Sequence, residues 1–481
     1  MTSLRKNFVY NSILTASTYV FPLLVFPYVT RALGVHNLGI CHFVDSIIQY
    51  FILFSFLGMQ TLATREIAKV KNDKVKLSDT FCSLFSLNMI TTLISIIILF
   101  FCVFYIPKLY EHKELLFIGS AKILANTLLV EWFFIGTENF KYITIRTLLI
   151  RLLYVISVFV FVQDSSDYIL YFTLTISMFV VNSIINMFCI SRIIKISLQS
   201  ISIRAFLKPF IILGSYQILT SMYTSFNVAY LGFIAGETQV GYYSIAIKIY
   251  SILLGVFTAF TSVMLPRMSS LVERGETDEF RKKILGSIDV LLCFSMPIIT
   301  IAITFAPTII NIVAGAGYVE SILPFQIIMP LMVIIGYEQI LVLQVLTPMN
   351  KDKAILINSI IGAIIGIICN LFFVYKYGSV GSAFVWIISE ISVLLVAQFF
   401  VIKYVNIAFP FSKFIIYITS SIPAFIISIV ISQLCGQTFL SFIGSGFLIC
   451  LYFFFIYIYI IKNQYVLSIK QAIIKQVSKY K

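Results

Sequence analysis

FPYVTRALGVHNLGICHFVDSIIQYFILFSFLGMQTLATREIAK, residues 26–69, decides how this chain folds. It closes one apolar run and turns through Arg31, Gly34 and Gly39. It then continues apolar over 38–62 with a single charge, Asp45, and ends in a cationic stretch beginning at Arg65. About 20 apolar residues are what an α-helix needs to cross the hydrocarbon core of a bilayer. The stretch therefore reads as helix, short glycine-containing turn, helix and basic loop, which is a membrane hairpin.

The same pattern runs through the rest of the chain. Of 481 residues, 60% are hydrophobic and 11% charged, with a mean hydropathy of +1.01. A soluble domain is about half apolar and a quarter charged. Fourteen spans are expected, at 9–30, 38–62, 81–106, 115–136, 144–162, 168–190, 209–235, 240–264, 287–314, 321–346, 354–374, 381–402, 414–434 and 439–461. Each must satisfy its own backbone groups in lipid, so helices are the expected form. The alternating ten-residue segments of an outer-membrane barrel are missing. The expected class is all-α integral membrane protein. Arg5 and Lys6 precede the first run without a small-residue cleavage site, so that run is read as a span and not a removed signal. Eight cysteines without CxxC spacing argue against a disulfide framework or a zinc site.

The net charge of +14 is an orientation signal rather than a nucleic-acid signal, because the cations sit in short loops. With the N-terminus inside, cytoplasmic segments hold 27 of the 34 Lys and Arg residues. The outer face holds four, Arg31, Lys108, Lys113 and Lys376. Lys122, Arg151 and Lys248 fall within spans. This predicts two cytoplasmic termini in the inner membrane.

A shift of 202 residues lays Gly34, Gly39 and Arg65 on Gly236, Gly241 and Arg267. Both windows read as helix, outer turn, helix and basic segment. Six spans per repeat is an even number, so the repeats run parallel, related by an axis along the membrane normal. The division predicted is a six-helix bundle over 1–208, a second over 209–403, and two added helices with a basic tail over 404–481.

No GxxxxGK[ST] loop occurs, and His36, His42 and His112 form no metal-ligand spacing. Attention turns to polar groups where lipid should be. A charge at a helix centre costs about 2.5–3.5 kcal/mol, so such groups face a cavity or a partner. Asp45, Lys122, Lys248, Glu338 and Glu390 are deep by these boundaries, whereas Glu131, Arg151 and Asp289 lie near helix ends, where snorkelling is an alternative. Under the shift Asp45 falls beside Lys248, and the two are expected to pair. Asn11, Thr15 and Thr18 share one face of the first helix, and Gln217, Ser221 and Thr224 do the same on the seventh. Such stripes serve either a wet cavity or helix–helix contact. Tyr242 and Tyr243 suit sugar stacking or interfacial anchoring.

The 26–69 segment resembles the start of the bacterial polysaccharide transporters, the O-antigen and capsule repeat-unit flippases of the multidrug/oligosaccharidyl-lipid/polysaccharide exporter superfamily. EWFFIGTENFKYITIR (131–146), VGYYSIAIKI (240–249), MLPRMSSL (264–271) and YGSVGSAFVWIISE (377–390) resemble later family segments in the same order. The resemblance implies two six-helix bundles in a V, plus two extra helices. It implies transfer of an undecaprenyl-diphosphate-linked oligosaccharide from the cytoplasmic to the outer leaflet. Arg31, Asp45, Arg65, Glu131, Lys248, Arg267 and Glu390 occupy family-like polar positions. Of these, Arg31, Arg65, Glu131 and Arg267 are assigned to gates or the cytoplasmic rim. The cavity set is Asp45, Lys122, Lys248, Arg151, Glu338, Glu390, Asn11, Thr15, Gln217 and Asn227. Family members often carry Asp before the LG of the seventh helix, where this chain has Asn227, and Asn does not titrate.

The substrate chemistry fits. A diphosphate-linked sugar is anionic and polar while its polyprenyl tail is apolar, so buried cations would replace its counterions. The expected function is a flippase working by alternating access, driven by a proton or sodium gradient, with no other cofactor. Its partners would be the lipid-linked oligosaccharide, membrane lipids and the polymerase or export machinery. A multidrug antiporter would want a mainly acidic cavity. A membrane polymerase or glycosyltransferase would want large outer loops with clustered carboxylates or arginines. Neither pattern is present.

Overall fold

The computed structural model describes residues 4–194, 201–224, 226–463 and 467. These residues form helices joined by short turns, with no strand among them. The helix Lys74–Tyr105 (α3, after α1, Leu4–Phe56, and α2, Met59–Val70) shows why lipid is the solvent. Ile94, Ile97, Phe101 and Phe104 recur at helical spacing and are exposed. The opposite face buries Asn88, Thr92 and Ser95. A water-soluble helix does the reverse. The buried hydroxyls bridge helices: Ser95 donates to the Phe51 carbonyl at 2.7 Å, Thr91 to the Ser55 carbonyl at 2.6 Å, and Thr92 meets Thr127 at 2.5 Å. Without a hydrophobic drive between helices in lipid, such contacts and close packing hold the bundle. Asp73 starts α3 by accepting from the amides of Val75 and Lys76.

The chain is a multi-pass membrane protein. Ten described helices are long and apolar enough to cross, or eleven with the pair Ala316–Ile328 and Leu331–Leu346, bent by 45°. The count of fourteen spans is thus not confirmed by the described residues. The backbone explains part of the difference. α1 has 53 residues in two helical segments joined across a kink, each long enough to cross a core of about 30 Å. It breaks at Gly34, whose φ of 73° is left-handed. The 54-residue helix Asp352–Val405 breaks likewise at Gly378. The expected span 209–235 is divided between Ile203–Thr224 and Phe226–Ala235, with Ser225 outside the described residues.

Packing separates two compact units, Met1–Ser244 and Ile245–Lys481, and the division falls inside the helix Glu237–Arg274. The first unit holds α1–α3, then α4 (Pro107–Tyr110), α5 (Lys113–Leu129), α6 (Glu131–Gly136), α7 (Phe140–Phe161), α8 (Tyr168–Ser191), α9 (Ile203–Thr224) and α10 (Phe226–Ala235), with the start of α11 (Glu237–Arg274). One of its cores gathers Trp132, Phe133 and Phe134 of α6 against Leu62, Ile67 and Phe81. Helices α9 and α10 join this unit through close approaches. A Cβ on Gly58 would lie 2.2 Å from Leu213 Cβ, and one on Gly232 would lie 2.1 Å from the Phe43 ring.

The second unit holds the rest of α11, then α12 (Thr277–Thr304), α13 (Ala306–Val313), α14 (Ile322–Ile328), α15 (Leu331–Gln339), a π-helical turn at Ile340–Leu346, α16 (Asp352–Val405), α17 (Phe411–Cys435) and α18 (Phe439–Phe455). Its core runs from Ile284, Leu291 and Leu292 through Tyr337 and Leu341 to Tyr417, Phe453 and Tyr457. The two C-terminal helices expected from hydropathy are thus packed into this unit. Most of the basic tail lies outside the described residues.

Candidate functional site

The deep charges of the first unit do not stand alone. Lys122 on α5 is buried, with 4% of its side chain exposed, and its Nζ lies 2.5 Å from Asp45 Oδ1 on α1. Asp45 is 34% exposed, so the pair is sealed on the cationic side and open on the acidic side. The Phe179 ring, 4.8 Å from the ammonium, adds a cation–π contact. The carboxylate thus meets a lysine of its own unit, where the repeat had suggested Lys248. Lys248 is partly buried on α11, in the second unit.

A second buried cation was not among the expected site residues. Arg146 on α7 is 4% exposed in its side chain and binds Glu131 at 3.0 Å. It also donates to Asn186 and to Thr147 and lies over the Tyr142 ring. Glu131 opens α6 directly after Val130, which is held in left-handed geometry at φ 40°. Asn186 in turn donates to the Leu129 carbonyl. Arg151, half-buried one turn further on, donates to Ser17 and toward the Leu14 carbonyl of α1. It is tied between helices rather than reaching for the surface.

The polar stripes lie as follows. Asn11, Thr15 and Gln217 are exposed, and Asn227 is buried. Thr15 and Thr18 donate to carbonyls of their own helix, at Asn11 and Thr15, and Ser221 to Ile218. These hydroxyls therefore do not tie α1 or α9 to neighbours. The side chain of Thr224 is outside those described. Arg65 and Arg267 are exposed and pair with Glu66 at 3.0 Å and Glu279 at 3.6 Å. Arg31 is exposed and donates to the Pro27 carbonyl.

The turns aligned by the 202-residue shift have similar backbones. Gly34 has φ 73° and Gly236 φ 88°, both left-handed, and both connect helices. The turns also touch. A Cβ on Gly39 would lie 2.0 Å from the Glu237 carbonyl oxygen, and one on Gly241 would lie 2.3 Å from that of Val35. His36 Nδ1 and Thr238 Oγ1, positions equivalent under the shift, are 3.1 Å apart. Beside them Glu237 accepts from Lys108 at 2.5 Å and meets His112 at 2.9 Å. Burial disfavours the Lys108 charge, but the Glu237 bond outweighs this and raises its pKa. Glu111, His112 and Glu237 bring ligand-type atoms within 4.8 Å of one another, although Lys108 already supplies the Glu237 counter-charge. Sequence reading missed this cluster because Glu237 lies more than 100 positions from Lys108, Glu111 and His112.

In the second unit, Glu390 on α16 is buried and accepts from Trp386 Nε1 at 3.0 Å. Glu338, at the end of α15, lies within its electrostatic reach. Neither carboxylate forms a salt bridge among the described residues. Tyr250 stacks edge-on against Trp386, with centroids 5.2 Å apart. The π-helical turn follows Glu338 by two residues, and such turns often accompany functional sites.

Comparisons with known proteins agree with this architecture. A family profile described as "Polysaccharide biosynthesis protein" matches residues 4–272. A protein of Escherichia coli (strain K12) named "Putative O-antigen transporter" is 29% identical over 357 residues, 73% of this chain and 85% of that one. A protein of the same name from Shigella dysenteriae is 25% identical over 400 residues, 82% of this chain and 98% of its own. Among solved structures, the lipid II flippase MurJ in an inward closed conformation superposes with a TM-score of 0.77 at 20% identity, covering 94% of this chain and 98% of that one. An inward-facing MATE multidrug transporter of the MOP superfamily gives 0.62 at 13% identity, covering 80% and 94%. At these identities the structural likeness speaks for the fold.

Proposed function

Because the chain belongs to the polysaccharide biosynthesis protein family, we propose that it is a flippase carrying a polyprenyl-diphosphate-linked oligosaccharide across the inner membrane. The repeat unit would be that of an O-antigen, capsule or exopolysaccharide. Alternating access would take it from the cytoplasmic to the outer leaflet, with both termini cytoplasmic. The relatives' names support transport over catalysis. The observation that carries the substrate class is the Lys122–Asp45 pair. A buried ammonium whose counter-charge is one-third exposed is suited to exchanging partners. The substrate diphosphate would take the place of Asp45 beside Lys122, and Asp45 would reclaim the lysine on release.

Ion coupling belongs to the same reading. Glu338 and Glu390 sit within electrostatic reach of each other, without a cationic partner among the described residues. Binding a proton or sodium ion there relieves the repulsion between them. The charge supplied by the gradient would thus enter the second unit, while the anionic substrate is held in the first.

The test uses the full chain in proteoliposomes with a fluorescent undecaprenyl-diphosphate oligosaccharide. Transport to the opposite leaflet is read by protection from an added glycosidase. Wild type should transfer the lipid, and Lys122→Met should slow it by about tenfold or more, the equivalent of one charge-assisted hydrogen bond. A deletion strain without a second flippase should accumulate cytoplasm-facing repeat units. Normal polymer export in that strain would overturn the flippase reading. Wild-type transport by Lys122→Met would remove only the partner exchange.

A further inference from the structure

A cavity of about 810 Å³ opens in the second unit where the first turns of α12, the start of α17 and the chain beyond the π-helical turn Ile456–Ile460 meet. Arg281, Lys282, Lys283, Lys413 and Lys462 line it, against two acids, Asp278 and Asp289. Asp289 is already neutralised by Lys413 at 2.6 Å. Arg281 donates one N–H to the Val405 carbonyl at 2.9 Å, which fixes the guanidinium and leaves its other donors available. Lys282, Lys283 and Lys462 form no ion pair among the described residues. The cavity is thus a cluster of cations with a surplus of three charges over its acids.

Lys462 shows that the wall is constructed rather than incidental. Its φ is 52°, a left-handed conformation that non-glycine residues avoid. The neighbouring Asn463 is buried, its amide bonded to the Tyr457 carbonyl and its side chain to Tyr417 OH, both at 2.8 Å. These bonds hold the turn while Lys462 faces the cavity. Strain held by its surroundings in this way gathers at ligand clamps.

The apolar surface beside the cavity says what kind of ligand it takes. Leu285, Ile416 and Ile461 complete the wall. From its edge an exposed stripe of Phe411, Ile415, Ile418, Ile422 and Ile426 climbs α17 at helical spacing. A small free anion has no use for such a track. We propose that this cavity binds the phosphate headgroup of an anionic membrane phospholipid, whose acyl chains lie along the outer face of α17. Basic pockets between membrane helices recognise lipid phosphates in this manner. The site is independent of the flippase reading, since it needs no transport.

The experiment is native mass spectrometry of the full chain in detergent, titrated with phosphatidylglycerol or phosphatidylcholine. Wild type should bind phosphatidylglycerol in preference to phosphatidylcholine. Lys462→Gly should weaken that binding about fivefold, the contribution of one cation near an anionic lipid. Glycine accepts the left-handed φ, so this variant keeps the turn while losing the charge. Lys462→Arg should restore binding, and Arg281→Ala with Lys282→Ala should weaken it further. Equal phosphatidylglycerol binding by wild type and Lys462→Gly overturns the proposal. Displacement by an equal concentration of inorganic phosphate would make it a free-anion site, which also overturns it. Tighter competition by undecaprenyl diphosphate would make it a substrate site instead.

Discussion

At the level of single residues, the buried cations of the first unit are not equivalent. Lys122 has one carboxylate and one ring, whereas Arg146 is shared among Glu131, Asn186 and Thr147. A planar guanidinium can hold several partners at fixed angles; an ammonium cannot. Arg146→Lys should therefore fail to restore what Arg146→Ala loses. Removing one partner of a buried pair costs about 3–5 kcal/mol, and the one-third exposure of Glu131 lowers this to about 2–3. Thermal unfolding in detergent should show both variants well below wild type. Lys122→Met should also lower the thermal midpoint, because its pair has the same exposures, and should add a large loss of transport. A double-mutant cycle of Lys122→Met with Asp45→Asn should show coupling, because each change alone strands a charge. Additive effects would mean that the two side chains do not act on each other in the working protein.

Among elements, the contact between the 34–39 and 236–241 turns is the most demanding. Gly39 and Gly241 face backbone carbonyls, which cannot swing aside as a side chain would. Gly39→Ala should destabilise by about 1–3 kcal/mol, as overpacking does. Gly444→Ala is the control: α18 leaves that position open, and alanine in a helix interior should gain about 0.5–1 kcal/mol. A midpoint lowered equally by both would remove the packing argument. The spans themselves were legible because depth in a bilayer is written in hydropathy; α3, α8, α12 and α17 overlie expected segments. The break of α1 at Gly34 was legible too, because it falls in the turn expected between 9–30 and 38–62. The bend of 45° before Leu331 was not, since it depends on backbone geometry with no counterpart in apolar content.

For the molecule as a whole, the polar residues were legible and their partners were not. Hydropathy gives the height of Asp45 along its helix but not its rotation, and the 202-residue shift pointed to Lys248 as its neighbour. α5 packs on α1 and supplies the lysine. Arg146 lies near the start of the expected span 144–162, and only tertiary packing buries it. If alternating access opens this turn contact in each cycle, locking it must stop transport. Cysteines replacing His36 and Thr238 in a chain freed of its eight native cysteines, joined by a short bifunctional thiol reagent, should stop transport. A reducible reagent should allow recovery on reduction. Undiminished transport by the cross-linked protein would mean that this contact stays shut throughout.

The hydrogen bond between His36 and Thr238 joins a position to its own counterpart. Such self-meeting sites arise on the symmetry axis of a homodimer, where one residue type must serve both sides. Here the two sides differ, an imidazole facing a hydroxyl, so the contact is directional.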